Sequence, residues 1–444
     1  MMNCQTTDDV KKIVKDKDIS FIQFWFTDVL GTLKSFAITP DELDEGIEEG
    51  MGFDGSSIEG FARIEESDMI AKPDPTTFQM VPWRGQGERP VARMFCDILQ
   101  PDGTPYEGDP RYVLKRLLKK VADRGYTFFL GPELEYFYFK DNAGTEILDK
   151  GGYFDARPVD MAGDLRRETI FALQSMGIQV EYSHHEVAPS QHEIDLRYAE
   201  ALKMADTTMT YRMIVKEIAQ KNGYYATFMP KPLFGENGSG MHVHQSLFKD
   251  GKNSFYSADE KFNLSETARH YIAGMLKHAP EITALCNQWV NSYKRLVPGY
   301  EAPVYVSWAN RNRSAMVRVP MYKPGKEAAT RMEFRAPDPS CNPYLAFAAM
   351  LGAGMEGIDN KYELCEPVEE DIFEMTPSER EAKGITELPG NLYAAIIETE
   401  KSELVRKVLG DHIFNKFIEN KKIEWDRYRT HISQFELDEY LPKL

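Results

Sequence analysis

The chain has little cysteine: only Cys4, Cys96, Cys286, Cys341 and Cys365 occur among 444 residues. None stands in a Cys-x-x-Cys pair and their number is odd, so the sequence predicts a reducing compartment and no thiolate zinc site. There is no run of 18 apolar residues, which excludes a membrane-spanning helix. Excess positive charge is also missing. With 53 Lys and Arg against 70 Asp and Glu, the net charge is −17, which excludes general binding to nucleic acid or anionic membrane. The opening MMNCQTTDDVKKIVKDKD lacks the apolar stretch of a signal peptide, so the expected location is the cytoplasm. No Gly-x-x-x-x-Gly-Lys-Ser/Thr phosphate loop and no dinucleotide fingerprint is present. Any phosphate must therefore be held by a local cluster of cations.

What is present is ordinary globular composition, 42% hydrophobic and 28% charged, in a chain long enough for two or three domains. The segments SFIQFWFT (Ser20–Thr27) and TLKSFAIT (Thr32–Thr39) flank a turn at Asp28-Val-Leu-Gly31 and predict a hairpin. ARMFCDIL (Ala92–Leu99) reads as another strand, while the glycine- and serine-rich Gly50–Gly60 reads as an irregular loop. A boundary falls in QPDGTPYEGDP (Gln100–Pro110), where Asp109-Pro110 supplies an N-cap and first-turn proline for an amphipathic helix ended by Gly125. Beyond it, Tyr126–Phe139, Gln191–Leu196, Gly240–Leu247 and Arg331–Arg335 are candidate strands, and the last seventy or so residues are helical in pattern. The predicted class is α+β: a small β domain over 1–105 and a large α+β domain over 106–444.

In GPELEYF (Gly131–Phe137), a strand would point Glu133 and Glu135 to the same side, about 6.6 Å apart. Their repulsion, ~2–3 kcal/mol at an effective dielectric near 20, calls for cations, unless the strand face is exposed or paired with Arg or Lys. HHEVAPSQHEIDL (His184–Leu196) adds Glu186 and Glu193 on either side of a Pro-Ser break. Five of the nine histidines, His184, His185, His192, His242 and His244, fall within 61 residues. A strand through GMHVHQS puts His242, His244 and Ser246 on one face, and RMEFR alternates Arg331, Glu333 and Arg335 on another. Glu133, Glu135, Glu186, Glu193, Glu333 and His242 thus make an oxygen-rich set with one imidazole, suited to two Mg²⁺ or Mn²⁺ ions. Arg311, Arg313 and Arg318 in NRNRSAMVR form the conspicuous positive cluster of an acidic chain and point to phosphoryl transfer by charge neutralisation, against the plainer reading of surface salt bridges.

Seven ordered blocks carry a resemblance. FDGSSIEGF (Phe53–Phe61), GPELEYF, HHEVAPSQHEI, MPKPLFGENGSGMH (Met229–His242), NSYKRLVPGYEAP (Asn291–Pro303), NRNRSAMVRVP and RMEFRAPDPSCNPYLAF make the chain similar to bacterial type I glutamine synthetase over essentially its whole length. The resemblance implies an N-terminal β-grasp domain, a C-terminal catalytic α+β domain with a curved antiparallel sheet, and twelve subunits in two hexameric rings with active sites between neighbours. It implies ligation of ammonia to L-glutamate with ATP, through γ-glutamyl phosphate, using two divalent ions.

Residue by residue, it implies one ion on Glu135, Glu186 and Glu193, and the other on Glu133, His242 and Glu333. Asn237, Gly238, Arg295, Glu301 and Arg335 would hold glutamate. Glu181, His244, Ser246, Arg331, Arg313 and Arg318 would line the ATP and phosphate region. Asp54 of an adjacent subunit would bind ammonium and take its proton, and Glu301 would shield the acyl phosphate.

One departure bears on regulation. Asn391-Leu392-Tyr393 is followed by Ala394-Ala395 rather than by the string of adenylylated members, so Tyr393 is not expected to be modified. The chain looks like the shorter Gram-positive alpha subgroup, which implies feedback inhibition by glutamine, with Arg63 and Glu424 as the regulatory pair or as ordinary subunit contacts, and contact with a transcriptional repressor through the C-terminal region. Rival readings are a γ-glutamylpolyamine synthetase, a catalytically inactive relative and a metal-dependent amidohydrolase.

Overall fold

The aromatic run that follows Ser20 forms β1 (Phe21–Thr27), which turns back antiparallel into β2 (Leu33–Ile38). The turn is closed by the buried Asp28 carboxylate, whose Oδ1 accepts the backbone N–H of Leu30 and of Thr32. In this computed structural model, residues 4–56, 58, 68–83, 89–323 and 325–444 are described. Four more strands, β3 (Met51–Asp54), β4 (Asp68–Pro73), β5 (Gln79–Met80) and β6 (Val91–Leu99), complete a sheet of order β2-β1-β6-β4-β3, with β5 beside β6. Phe24, Phe78, Met94 and Ile98 fill the core of this sheet.

The loop expected over Gly50–Gly60 is partly wrong. Its first residues are β3, paired antiparallel with β4, because the Phe53 ring packs 5.0 Å from Phe26 and 6.2 Å from Phe36. Four residues, one of them glycine, carry too little pattern to be seen from the sequence alone.

Asp109 caps the helix Pro110–Ala122 by accepting the Arg111 N–H, and Gly125 (φ +81°) supplies the left-handed turn after it. A second sheet follows, built from β7 (Tyr126–Phe139), β8 (Val180–His185), β9 (Gln191–Leu196), β10 (Ala199–Glu200), β11 (Tyr225–Thr227), β12 (Met241–Lys249), β13 (Lys252–Asn253), β14 (Trp308–Ala309), β15 (Val317–Arg318) and β16 (Met332–Phe334). Its order is β14-β15-β16-β12-β7-β9-β8, antiparallel but for β14–β15. One face buries Leu134, Tyr136 and Tyr138 of β7, with the Tyr211 hydroxyl of helix Ala201–Lys221 donating to the Leu134 carbonyl. Behind this helix, the apolar helix Pro343–Asp359 packs on Glu266–Cys286 so closely that a Cβ at Gly274 would sit 2.2 Å from the Ala353 carbonyl oxygen. The chain ends in helices from Leu392 to Tyr440, as its charge pattern predicts.

The two sheets are tied by buried polar groups. The Arg111 guanidinium reaches Asp74 at 2.8 Å, Asp97 at 2.5 Å and Asp206 at 3.0 Å, one cation serving three carboxylates from both parts of the chain. Asn342 Nδ2 donates to the carbonyls of Asp28 and Val29, each at 3.1 Å. Among the described residues, no helix is long and apolar enough to cross a membrane.

Candidate active site

The second sheet's other face carries the chemistry. Antiparallel register sets Glu133 opposite Asp195 and Glu135 opposite Glu193 across β7–β9. The same register sets His242 opposite Glu133 across β12–β7, and Glu333 opposite His244 across β16–β12. It continues outward to Arg318 on β15, and to His184 and Tyr182 on β8. Because strand side chains alternate, directly paired residues share a face. Short polar alternations in six strands, spread over about two hundred residues of the chain, therefore become one surface. The Pro-Ser break is a tight turn in which Ser190 takes φ +59°, the Glu186 N–H donates to the Gln191 carbonyl, and Glu186 and Glu193 are carried to the same place.

Two cavities open on this surface. The larger, about 670 Å³, is lined by all six predicted ion ligands together with Asn237, Gly238, Arg295, Glu301, Arg313, Arg318 and Arg335. The smaller, about 320 Å³, is lined by Glu181, His244, Ser246 and Arg331, with Leu196, Tyr198 and Phe129 as its apolar walls. Glu133 and Tyr182 line both, so the two cavities meet there.

Within the larger cavity, Glu333 is almost wholly buried and held by Arg318 Nε at 2.6 Å and Arg335 at 2.7 Å. His242 Nδ1 lies 3.5 Å from Glu133 and 3.7 Å from Glu333. His244 Nε2 is closer to Glu133, at 2.7 Å, and its Nδ1 accepts from Arg331 Nε at 3.1 Å. On the other side, His184 Nε2 lies 2.7 Å from Glu186 and 3.4 Å from Glu193. The expectation of a single imidazole is thus corrected: three stand among the carboxylates, because the alternation of β12 and of β8 each brings a histidine into line. Arg295, fully buried, donates to the carbonyls of Ala336 and Arg335. Glu301 adopts φ +55°, a strained conformation for a side chain with a Cβ, and its carboxylate accepts from Asn237 Nδ2 at 2.8 Å.

The electrostatics are those of a crowded anionic site. Burial, then the charge of Glu186, pushes the Glu135 carboxyl up to about 8. Burial, then Asp195, raises Glu193 well above the carboxylate range, and burial with Glu133 raises Asp195 to about 6. Burial would also raise Glu133, but His244 and His242 beside it bring it well below its ordinary value. Burial and then Arg335 lower His242, which favours the neutral imidazole. Glu193 Oε1 and Asp195 Oδ1 are buried without a hydrogen-bond partner. Hard oxygen donors, neutral imidazole and uncompensated buried charge fit divalent cations. The side chains of Glu133, His244 and Glu333, and of His184, Glu186 and Glu193, converge closely enough to hold an ion each.

Some expected residues lie elsewhere. Arg311 is exposed and does not line either cavity, because its backbone is turned outward by the Glu369 carboxylate. Asp54 ends β3 on the first sheet, exposed, with Oδ1 accepting the Ser56 N–H, away from its own chain's cavities. Glu424 sits on helix Asp411–Arg429, accepting the Val290 N–H and pairing with Lys421. Arg63 lies outside the described residues. Sequence reasoning passed over Tyr182, Gln191 and Asp195. The period-two run Gln191-Glu193-Asp195 in QHEIDL carried the same signal as the histidines of β12.

A family model described as "Glutamine synthetase, catalytic domain" matches residues 107–440, and one described as "Glutamine synthetase, beta-Grasp domain" matches residues 18–101. The chain is 52% identical to a glutamine synthetase of Methanosarcina mazei over 448 residues, covering 100% of this chain and 99% of that one. It is 50% identical to a glutamine synthetase of Staphylococcus aureus over 442 residues, covering 98% of each. Among solved structures it is similar to Plasmodium falciparum glutamine synthetase, with TM-score 0.88, 26% identity, and 98% and 99% of the two chains covered. It is equally similar to a structure described as "GmaS/ADP complex-Conformation 1", with TM-score 0.88, 30% identity, and 97% and 99% covered.

Proposed function

The chain belongs to the glutamine synthetase family, of bacterial type I, and from that premise we propose how its residues divide the work. Its activity is ATP-dependent ligation of ammonia to the γ-carboxylate of L-glutamate, giving L-glutamine, ADP and phosphate through γ-glutamyl phosphate. One observation carries the assignment of residues: two cavities, one walled by guanidinium and carboxylate and one partly apolar, meet at Glu133.

The smaller cavity takes the nucleotide, with Glu181, His244, Ser246 and Arg331 around it. The phosphates point through the junction into the larger cavity. There Arg295, Arg335 and the Asn237–Gly238 segment hold glutamate. Its γ-carboxylate oxygen attacks the terminal phosphorus while the bond to the bridging oxygen breaks and ADP leaves. Arg313 and Arg318 neutralise the transferring group. Two divalent ions, Mg²⁺ or Mn²⁺, held by Glu135, Glu186 and Glu193 and by Glu133, His242 and Glu333, would supply further charge neutralisation when bound. His184 and His244 orient these carboxylates by hydrogen bonding. Asp54 reaches the site from a neighbouring copy and takes a proton from ammonium, since only the free lone pair attacks the acyl carbon. Glu301 covers the acyl phosphate from water, and phosphate leaves with the electrons of the carbon–oxygen bond.

The same reading divides the chain into units over 1–105 and 106–444. It assembles twelve copies in two hexameric rings, and it places the enzyme in the cytoplasm. It also assigns it to the alpha subgroup, inhibited by glutamine through Arg63 and Glu424 and contacting a transcriptional repressor through the C-terminal helices. Steady-state assays with ammonium, putrescine and ethylamine test the amine. The highest kcat/KM is expected with ammonium, and a higher value with either organic amine overturns that choice. Absence of ADP release with glutamate, ammonium and Mg²⁺ supports an inactive relative instead.

A further inference from the structure

Gln191 has no part in that scheme, yet its side chain makes hydrogen bonds on every side within the larger cavity. It is 1% exposed. Its Nε2 donates to Glu135 Oε2 at 3.0 Å and to the Gly238 carbonyl at 3.1 Å, with Ser239 Oγ at 3.4 Å. Its Oε1 accepts the Ala188 N–H at 3.2 Å. A carboxamide has two N–H donors and one carbonyl, so both donors and the acceptor are engaged. A flipped amide would set its oxygen against a carboxylate and a carbonyl, so these partners determine its orientation.

The segment that Gln191 touches has little freedom. The Ser239 N–H donates to the Pro230 carbonyl at 2.8 Å, and the Gly240 N–H donates to the same Glu135 Oε2 at 2.8 Å. A Cβ at Gly238 would lie 2.3 Å from the Pro230 carbonyl oxygen, and one at Gly240 would lie 2.6 Å from the Arg295 guanidinium. Asn237 then reaches Glu301. The contacts run unbroken from Glu135 through the Gln191 amide to Gly238, Asn237 and Glu301.

We propose that Gln191 is a positioning residue that couples divalent-ion binding at Glu135 to L-glutamate binding at Asn237–Gly238. The inference rests on the assignment of Glu135 to an ion and of Asn237–Gly238 to glutamate. Without a cation, Glu135, Glu186 and Glu193 repel one another. A bound ion holds Glu135 in one place, the amide is held by its carboxylate, and the Gly238 carbonyl stays in the orientation that receives glutamate. Such coupling is reciprocal: whatever factor the ion adds to glutamate affinity, glutamate adds to ion affinity.

Calorimetric titration of the full-length assembly with L-glutamate, at saturating Mg²⁺ and after chelation, tests this. In the native enzyme, Mg²⁺ is expected to tighten glutamate binding about tenfold. In Gln191→Met, which keeps the bulk and loses both donors, that factor is expected to fall below about twofold, with ADP affinity unchanged within about twofold. Gln191→Leu, which is also uncharged and lacks both donors, serves if the methionine variant does not fold, with the same expectation. A variant that binds ADP and keeps the native coupling factor overturns the role of Gln191, as does a native enzyme whose glutamate affinity ignores Mg²⁺. A native enzyme that binds no glutamate at all sinks the underlying assignment of the site instead.

Discussion

Glu333 is the residue on which most contacts of the site converge. It is buried, faces His242, and is gripped by Arg318 and Arg335. Glu333→Gln removes one charge and leaves two guanidiniums facing a neutral amide. Turnover is expected to fall by ~10²–10³, the scale of losing one preorganised electrostatic group, with the Mg²⁺ midpoint shifted upward. A Mg²⁺ titration that superimposes on the native curve would falsify its place among the ion ligands. Asp54 makes the opposite case, exposed and, among the described residues, with its carboxylate bonded to its own turn. Asp54→Ala is expected to lower glutamine formation by ~10²–10⁴ at limiting ammonium while glutamate-dependent acyl phosphate still forms. Unchanged output at limiting ammonium would remove it from the proton transfer. Asp54 was legible only because the string around it matched a family, whereas Glu333 was already marked by the alternation of RMEFR. A lone Asp-Gly reads as a turn.

At the scale of elements, the strands carrying the site were legible where alternation was long and polar against apolar. β7, β9 and β12 were found within a residue or two of their ends. β3 and the two-residue strands β14 and β15 were not, since so short a run holds no period and pairs only when a neighbour offers its edge. Helix packing was less legible still. Gly274, Gly354 and Gly357 look like helix-weakening residues until the two helices are seen in contact. Gly274→Ala would place a methyl group 2.2 Å from the Ala353 carbonyl, so the helices must separate. The expected loss is ~1–3 kcal/mol or more, read from the urea midpoint, despite alanine's better helix propensity. A rise in that midpoint would show that the helix pair has room for a methyl group at Gly274.

For the whole molecule, the burial of so many acids under one net-negative chain makes stability depend on cations. Glu135 is raised from 4.5 to about 8 in the folded state, so its contribution is fully present below 4.5 and is lost as pH rises through about 8. A divalent ion competes with that proton. Added Mg²⁺ should therefore raise Tm, and raise it more at pH 8 than at pH 6. Calorimetric scans with Mg²⁺ and with chelator at both pH values give the comparison. An equal rise at both would mean that Glu135 does not lose a proton to the ion.

By itself, the sequence determined the inventory: which acids, imidazoles and guanidiniums exist, their period-two spacing, and the absence of a Cys-x-x-Cys pair and of a phosphate loop. Spacing along a chain reports which side of its own strand a residue takes, and that much needs no fold. Only tertiary structure decided which faces would be shared. Register among β7, β12 and β16, far apart in the chain, brought His244 in among the carboxylates, as the β8–β9 hairpin did His184. Backbone bonding at Glu369 turned Arg311 away, and close helix contact made glycine necessary at Gly274. Those outcomes depend on contacts between distant segments, whose energies no local pattern contains.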